Sequence, residues 1–343
     1  MTTIIGWDIG GAHLKAALWR DGRIEAVRQI PCTLWLGIHH LSDAWRSIAA
    51  LFGAPGSHAV TMTGELAEIF SSRQEGVAAI CRTVAALAGE ADVRFYAGPR
   101  GFVREPDAVQ GWQNVASANW HASATLVGRH WPEALFIDIG STTTDIIPIA
   151  NGIPKPRGYT DAERLETGEL VYTGVMRTSL MALAGEAPFE GRWQRGMAEK
   201  FATTADIYRL TGELASDDDS YPASDGRTKS AEDCRARIAR MLGRDAGDAK
   251  AAAWLQVAHF FRQRQLQLID RAVAQVLSAG ATGAMTPFLG AGAGDFLVQD
   301  LARRWQRPGA SSTQYIPVSQ GECRRQAGVC APAVAVALLA AEG

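Results

Sequence analysis

The segment IIGWDIGGAHLKAALW near the start of the chain has a counterpart in ALFIDIGSTTTDIIPI from Ala134 onward. Each runs as an apolar strand ending in Asp-Ile-Gly, a short turn, and a second strand, with the turn glycines at Gly10 and Gly140. A repeat on this scale implies two similar folding units, one opened by each copy. Both units start with strands, so they are built on sheets rather than as helix bundles. The length of 343 residues suits this, since a domain usually takes about 100–200 residues. The expected division is 1–131 and 132–330, with a last helix over 331–343 that starts near Pro332 and returns to the first unit.

Between and after the copies the pattern alternates. Thr2–Ile9, His13–Trp19 and a strand through Ile30 form a meander, with Asp21-Gly22 as the hairpin turn. Helices are expected over Leu41–Phe52, Ser72–Leu87, Asn114–Trp131, Ala251–Ala279 and Leu297–Trp305. Strands are expected over His58–Met62, Val93–Ala97, Thr286–Leu289 and Gln314–Val318. The stretch 215–232 holds Asp217, Asp218, Asp219, Pro222 and Gly226 and reads as an exposed polar insertion. Gly280 suits the position just past the end of the long helix.

Lys+Arg 34 against Asp+Glu 36 gives a net charge of -2, which excludes the basic field that gathers nucleic acid or an acidic membrane surface. The longest apolar run, Ala331–Ala341, is shorter than the ~20 residues that cross a bilayer. Cys32, Cys81, Cys234, Cys323 and Cys330 form neither CxxC pairs nor an even set, so reduced thiols in a cytoplasmic protein are expected. A small-molecule partner is therefore expected, with a homo-oligomer left open.

Glycine numbers 35, about a tenth of the chain against a usual ~7%, so its placement carries information. A strand ending in a glycine turn sets backbone N–H groups at a concave corner that can hold phosphate oxygens. Asp8 lies two residues before Gly10, followed by Gly11, and Asp138 two before Gly140. A carboxylate placed there can hold a hydrated Mg²⁺ against the cradled phosphate. Ser141, Thr142, Thr143 and Thr144 add hydroxyl donors, and Asp145 a further carboxylate. A third cluster, FLGAGAG with Gly290, Gly292 and Gly294, ends a strand and opens a helix, where a nucleotide or another phosphate group could sit.

The order DIGG, DIGSTTTD, FLGAGAG resembles the signature of the actin, sugar-kinase and Hsp70 superfamily. It implies an α/β, duplicated actin-like ATPase (ribonuclease H-like) fold, with a phosphate-binding cleft and Mg²⁺ between two domains. GWDIGGAHLKAA, SANWHASA, FIDIGSTTTDIIPI and GYTDAERLETGELVYTGVMRTSL resemble its hydantoinase/oxoprolinase-like branch. They are most similar to the family linked to tetrahydromethanopterin one-carbon metabolism, related to synthases of methanofuran biosynthesis. That resemblance implies joining an aminomethyl-furanmethanol diphosphate to the phenol oxygen of a tyramine or tyrosine derivative, with release of diphosphate. Asp8 and Asp138 would then lie on the metal side, and Lys15 and the hydroxyls on the phosphates. His13, His121, Asp145 and Glu166 are alternative bases for the phenol proton, and Asn119, His121, Glu166 and Tyr172 are expected near substrate. His13 replaces the hydroxyl residue common there in kinases and actins. Rival functions are an ATP-dependent small-molecule kinase, a hydantoinase-type hydrolase, or a non-catalytic nucleotide-binding protein.

Overall fold

The computed structural model describes residues 3–53, 55–214 and 219–343. Asp217 and Asp218 of the acidic run lie outside the described residues. The first copy forms β1 (Thr3–Ile9) and β2 (His13–Arg20), followed by β3 (Arg23–Pro31), an antiparallel meander. Asp21 and Gly22 turn the β2–β3 hairpin with φ of 48° and 88°, the left-handed pair that matches strand twist. Strands β4 (Ser57–Met62), β5 (Asp92–Tyr96) and β6 (Phe102–Val103) complete a sheet of order β3-β2-β1-β4-β5-β6, with β4 parallel to β1 and β5. Helices α1 (His39–Phe52), α2 (Arg73–Ala88), α3 (Glu105–Gln110), α4 (Trp112–Val115) and α5 (Asn119–His130) belong to this half.

The second copy forms β7 (Ala134–Ile139) and β8 (Thr144–Ala150), joined by β9 (Ile153–Pro154) and β10 (Leu170–Val171). A separate hairpin pairs β11 (Glu186–Phe189) with β12 (Arg192–Arg195), and β13 (Phe288–Ala291) and β14 (Gly309–Ser311) extend the second sheet to β10-β8-β7-β13-β14. Its helices are α6 (Asp161–Thr167), α7 (Thr204–Thr211), α8 (Ala231–Met241), α9 (Ala251–Ser278) and α10 (Asp295–Arg304). The apolar stripe of α9, including Trp254, Val257, Phe261, Ile269 and Val273, is buried in the core of this half. Gly280 follows α9 with φ of 76°. Last come α11 (Glu322–Val329) and α12 (Ala331–Ala341), and α12 packs on β1, β2 and β4 of the first sheet.

Three expected elements differ. The helix expected over Asn114–Trp131 is broken into α4 and α5, because Ser117 takes φ of 50°. That left-handed conformation costs a non-glycine residue about 1–2 kcal/mol. Instead of a strand over Gln314–Val318, the chain makes β14 and a 3₁₀ turn at Ser312–Tyr315, and Val318 bridges Ile24 of β3. From Asp219 the polar insertion is anchored rather than free: the Asp219 carboxylate pairs with Arg209 and Lys229, and its next residues lie against the first half.

Helix α12 is buried nearly all round, and it can approach β1 because residue 6 is glycine: a Cβ there would run into the Ala333 carbonyl and stand 2.8 Å from the Ala337 Cβ. Gly6→Val is expected to destabilise the fold by about 3 kcal/mol, read as a lowered urea midpoint. An unchanged midpoint would contradict this packing.

Candidate active site

The two turns are built alike. Gly10 N–H donates to the His13 carbonyl at 3.0 Å, and Gly140 N–H to the Thr143 carbonyl at 2.9 Å. In each copy the strand register then sets a charged residue opposite the aspartate: Asp8 pairs with Lys15 across β1–β2, and Asp138 with Asp145 across β7–β8. None of Gly10, Gly11 and Gly140 has positive φ, so backbone conformation does not demand glycine there. At Gly11 a Cβ would meet nothing within 4 Å, and at Gly140 only the Thr143 carbonyl at 3.5 Å. A Cβ at Gly10 would press on the His13 carbonyl at 3.1 Å, whereas Gly11 and Gly140 leave open space.

That space is a cavity of about 290 Å³ between the halves. Asp8, Gly10, Gly11, His13, Lys15, Asn119, Asp138, Gly140, Ser141, Thr142, Thr143, Asp145 and Tyr172 line it, as do Trp35, Ser117, Trp120, Asp161, Arg164 and Arg177. Other expected residues lie elsewhere. Thr144 is fully buried and donates to the Thr173 carbonyl at 2.7 Å, so its hydroxyl ties down the loop that follows β10. Glu166 is exposed away from the cavity, its carbonyl accepting from Gln275 at 2.8 Å. His121 faces a second cavity, with Nδ1 at 2.9 Å from the Tyr96 hydroxyl. Gly290, Gly292 and Gly294 are absent from the lining. They are packing glycines: a Cβ at Gly292 would strike the Ile139 carbonyl and the Asp138 carboxylate, and one at Gly294 the Ile139 and Val175 side chains.

Burial governs the charges. It raises the Asp8 carboxyl above its usual range, opposed by Lys15, whose Nζ lies 3.9 Å away, and reinforced by Asp145. Burial works against the Lys15 ammonium, but Asp8, Cys330, Asp138 and Asp145 more than offset it, and the lysine stays charged. Its Nζ also donates to the Val329 carbonyl at 3.2 Å. Asp138 is pushed up to about 7 by burial and by Asp145, with Lys15 opposing and Asp8 adding to the rise. Burial raises Asp145 too, held back by Arg164, which donates to it at 2.6 Å. His13 is pushed down to about 3 by burial, Lys15 and Arg177, so it is neutral.

The aspartate cluster is short of positive charge, and the buried Asp8 Oδ1 has no hydrogen-bond partner. Among the described residues no three His, Cys, Asp or Glu side chains stand close enough to hold a metal directly. The unpartnered Asp8 Oδ1, with the Asp138 carboxyl also lining the cavity, is an oxygen donor set of the kind that holds a hydrated Mg²⁺ beside a ligand phosphate.

Several functional candidates carry no local sequence signal. Arg164 is buried, lies 4.1 Å over the Trp120 ring and reaches Asp145 from 19 residues away. Asp161 meets Arg73 of α2 across the two halves. Arg177 is exposed at the rim, facing Trp35 and Tyr221. Arg177 is the exception, since the sequence places it after the Gly168 turn of GYTDAERLETGELVYTGVMRTSL, where a hairpin lining the cleft would bring it to substrate.

A raised Asp138 pKa means that the folded chain binds more protons than the unfolded one between about pH 4 and 7, so this group's contribution to stability falls as pH rises through that window and then levels off. In metal-free buffer, Asp138→Asn is expected to raise stability at pH 8 by about 1–2 kcal/mol and flatten the slope between pH 4 and 7. Urea denaturation at pH 4 and pH 8 checks this, and a loss of stability at pH 8 would contradict it.

Comparisons with known proteins agree with this architecture. Residues 57–341 match the family model described as Hydantoinase/oxoprolinase. The chain is 30% identical over 267 residues to the (4-{4-[2-(gamma-L-glutamylamino)ethyl]phenoxymethyl}furan-2-yl)methanamine synthase of Methanocaldococcus jannaschii, covering 78% of this chain and 79% of that protein. It is 32% identical to the Methanococcus vannielii protein of the same name, over 41% of this chain and 64% of that one. Among solved structures, a nucleotide-free acetone carboxylase aligns with a TM-score of 0.58 at 10% identity, over 97% of this chain and 70% of that one. A ROK family glucokinase from Streptomyces griseus, in complex with glucose and AMPPNP, aligns with a TM-score of 0.50 at 17% identity, over 99% and 100%. These likenesses place the fold among the actin-like ATPases. Among the described residues no helix is long and apolar enough to cross a membrane. The chain is an enzyme of the hydantoinase/oxoprolinase family, in the branch that holds the furan-2-yl methanamine synthases.

Proposed function

We propose that this chain is a transferase that joins a 5-(aminomethyl)furan-3-ylmethyl group, delivered as its diphosphate ester, to a phenol oxygen in methylofuran or methanofuran assembly. The observation that carries the reading is the sustained identity to a synthase whose named product contains a phenoxymethyl-furan ether. The cavity suits the chemistry. A furfuryl-type carbon ionises readily, so the main tasks are to stabilise a departing diphosphate and to hold the phenol in line. Lys15, Ser141, Thr142, Thr143 and Arg177 supply positive charge and donors for the phosphate oxygens, and Gly11 and Gly140 leave room for them. Mg²⁺ held through water by Asp8 and Asp138 would neutralise charge on the leaving group. Neutral His13, with its Nε2 3.3 Å from the Ser220 hydroxyl and its ring edge against Tyr221, forms one wall.

ATP is the other occupant this fold admits. The packing of Gly292 and Gly294 against Ile139 and Val175, and their place outside the main cavity's lining, favour the diphosphate ester over a nucleotide held by the third glycine loop. The test is incubation with Mg²⁺, 5-(aminomethyl)furan-3-ylmethyl diphosphate and tyramine, γ-glutamyltyramine or tyrosine, with mass spectrometry of the product. An aryl furan-3-ylmethyl ether formed with one diphosphate per turnover is expected. Stoichiometric ADP from ATP without ether formation would overturn the reading.

A further inference from the structure

Behind Ser117 and Trp120, which line the main cavity, lies a second cavity of about 220 Å³ that shares both residues with it. Its other walls include the rings of His121 and Tyr159 and the backbone near Asn114 and Ala118. The Trp120 and Tyr159 rings are 6.1 Å apart, and the His121 and Tyr159 rings 6.3 Å apart, so the three rings touch and form one aromatic wall, and the cavity beside it has the volume for one substituted ring. At the junction of the two cavities Ser117 holds its unusual left-handed conformation. Its Oγ donates to Glu65 Oε1 at 2.8 Å. Glu65 is itself buried, and its other oxygen, Oε2, has no partner. The backbone of Glu65 is clamped by α2, where a Cβ at Gly76 would lie 2.8 Å from the Glu65 Cα.

Because the one proton of Ser117 points to Glu65, the lone pairs are what this hydroxyl offers to the cavities. It is an acceptor for an incoming O–H. The second oxygen near it, Asp161 Oδ2 at 3.4 Å, is farther away and already paired with Arg73. We propose that the second cavity binds the phenol ring of the acceptor and that Ser117 is a catalytic residue passing the phenol proton to Glu65. This rests on the transferase reading above. As the phenolic oxygen forms its bond to the furanylmethyl carbon, its proton moves to Ser117 Oγ and the Ser117 proton moves to Glu65. The bond from that carbon to the diphosphate oxygen breaks, and diphosphate leaves with the electron pair. Glu65 returns the proton to solvent once the product has gone.

The charged and titratable groups facing Glu65 are Arg73 of α2 and Asp161 of α6, with His121 of α5 on the far side of Ser117. Burial pushes the Glu65 carboxyl up to about 7, the Ser117 hydrogen bond and Arg73 acting against the rise and Asp161 adding to it. The carboxylate, the form able to take a proton, therefore gains population as pH rises through 7. His121 is pushed down to about 4 by burial and stays neutral in that range.

The experiment compares wild type with Glu65→Gln and Ser117→Gly, the second removing the hydroxyl while glycine keeps the left-handed backbone without strain. With the furfuryl diphosphate and tyramine, both variants are expected to lose about 10²-fold or more in kcat while the KM for the diphosphate stays within about twofold. The wild-type rise of kcat/KM with pH near 7 should vanish in both. With a difluorinated tyramine, whose phenol ionises more easily, the loss should shrink to about tenfold or less. Tyr159→Ala should raise KM for the acceptor alone. Equal losses on both phenols, a pH limb retained in Glu65→Gln, or a Tyr159→Ala effect on diphosphate KM would overturn the assignment. Ether formation by wild type with no change in either variant would overturn it while sparing the transferase reading. Absence of ether from wild type with any phenol would overturn both.

Discussion

Asp8 can be buried because the β1–β2 register puts Lys15 across from it, and the rest of the site follows from having that arrangement twice. An unpaired carboxylate moved into the interior costs several kcal/mol even after relaxation, so each buried aspartate needs compensation. In the second copy the position of Lys15 is taken by Asp145, which adds charge instead of cancelling it. Arg164 answers that excess from α6, and its guanidinium is fixed in turn over the Trp120 ring. Lys15, drawn on by Asp8, Asp138 and Asp145 together, is shared by both copies. The remaining deficit of positive charge is the feature on which the proposed binding of a cation together with an anionic ester rests.

Contacts across the two halves hold the copies face to face. Arg73 of α2 meets Asp161 of α6, Ser220 and Tyr221 from the second half cover His13, and Arg177 lies over Trp35. Helix α12 returns to the first sheet and is seated by Gly6, while the 317–319 segment clips onto Ile24 of β3. Glycine serves two ends here. At Gly11 and Gly140 it leaves space facing the cavity, whereas at Gly6, Gly292 and Gly294 it lets one element approach another.

The duplicated turns were legible because strand period, turn glycine and aspartate all fall within a dozen residues. Asp8, Lys15, Asp138 and Asp145 converge where the repeat implied. Non-local geometry was not legible. Thr144 shares a hydroxyl run with Ser141, Thr142 and Thr143, yet strand alternation turns it inward. Glu166 falls on the exposed side of α6, and the third glycine cluster is consumed by packing against Ile139 and Val175. Glu65 and Ser117 sit 52 residues apart in sequence, and neither neighbourhood signals that the break between α4 and α5 would bring them together. The Gln314–Val318 stretch has strand-like residues, but β3 offers it only a single bridge at Ile24.

The central claim is that both turns grip one phosphate ester. Calorimetric titration of inorganic diphosphate with Mg²⁺ into wild type, Lys15→Met and Ser141→Ala tests it without reference to turnover. The account requires one site per chain, weakened by the substitution in the first copy and by the substitution in the second. Two independent sites, or one site that responds to only one of the copies, would contradict it.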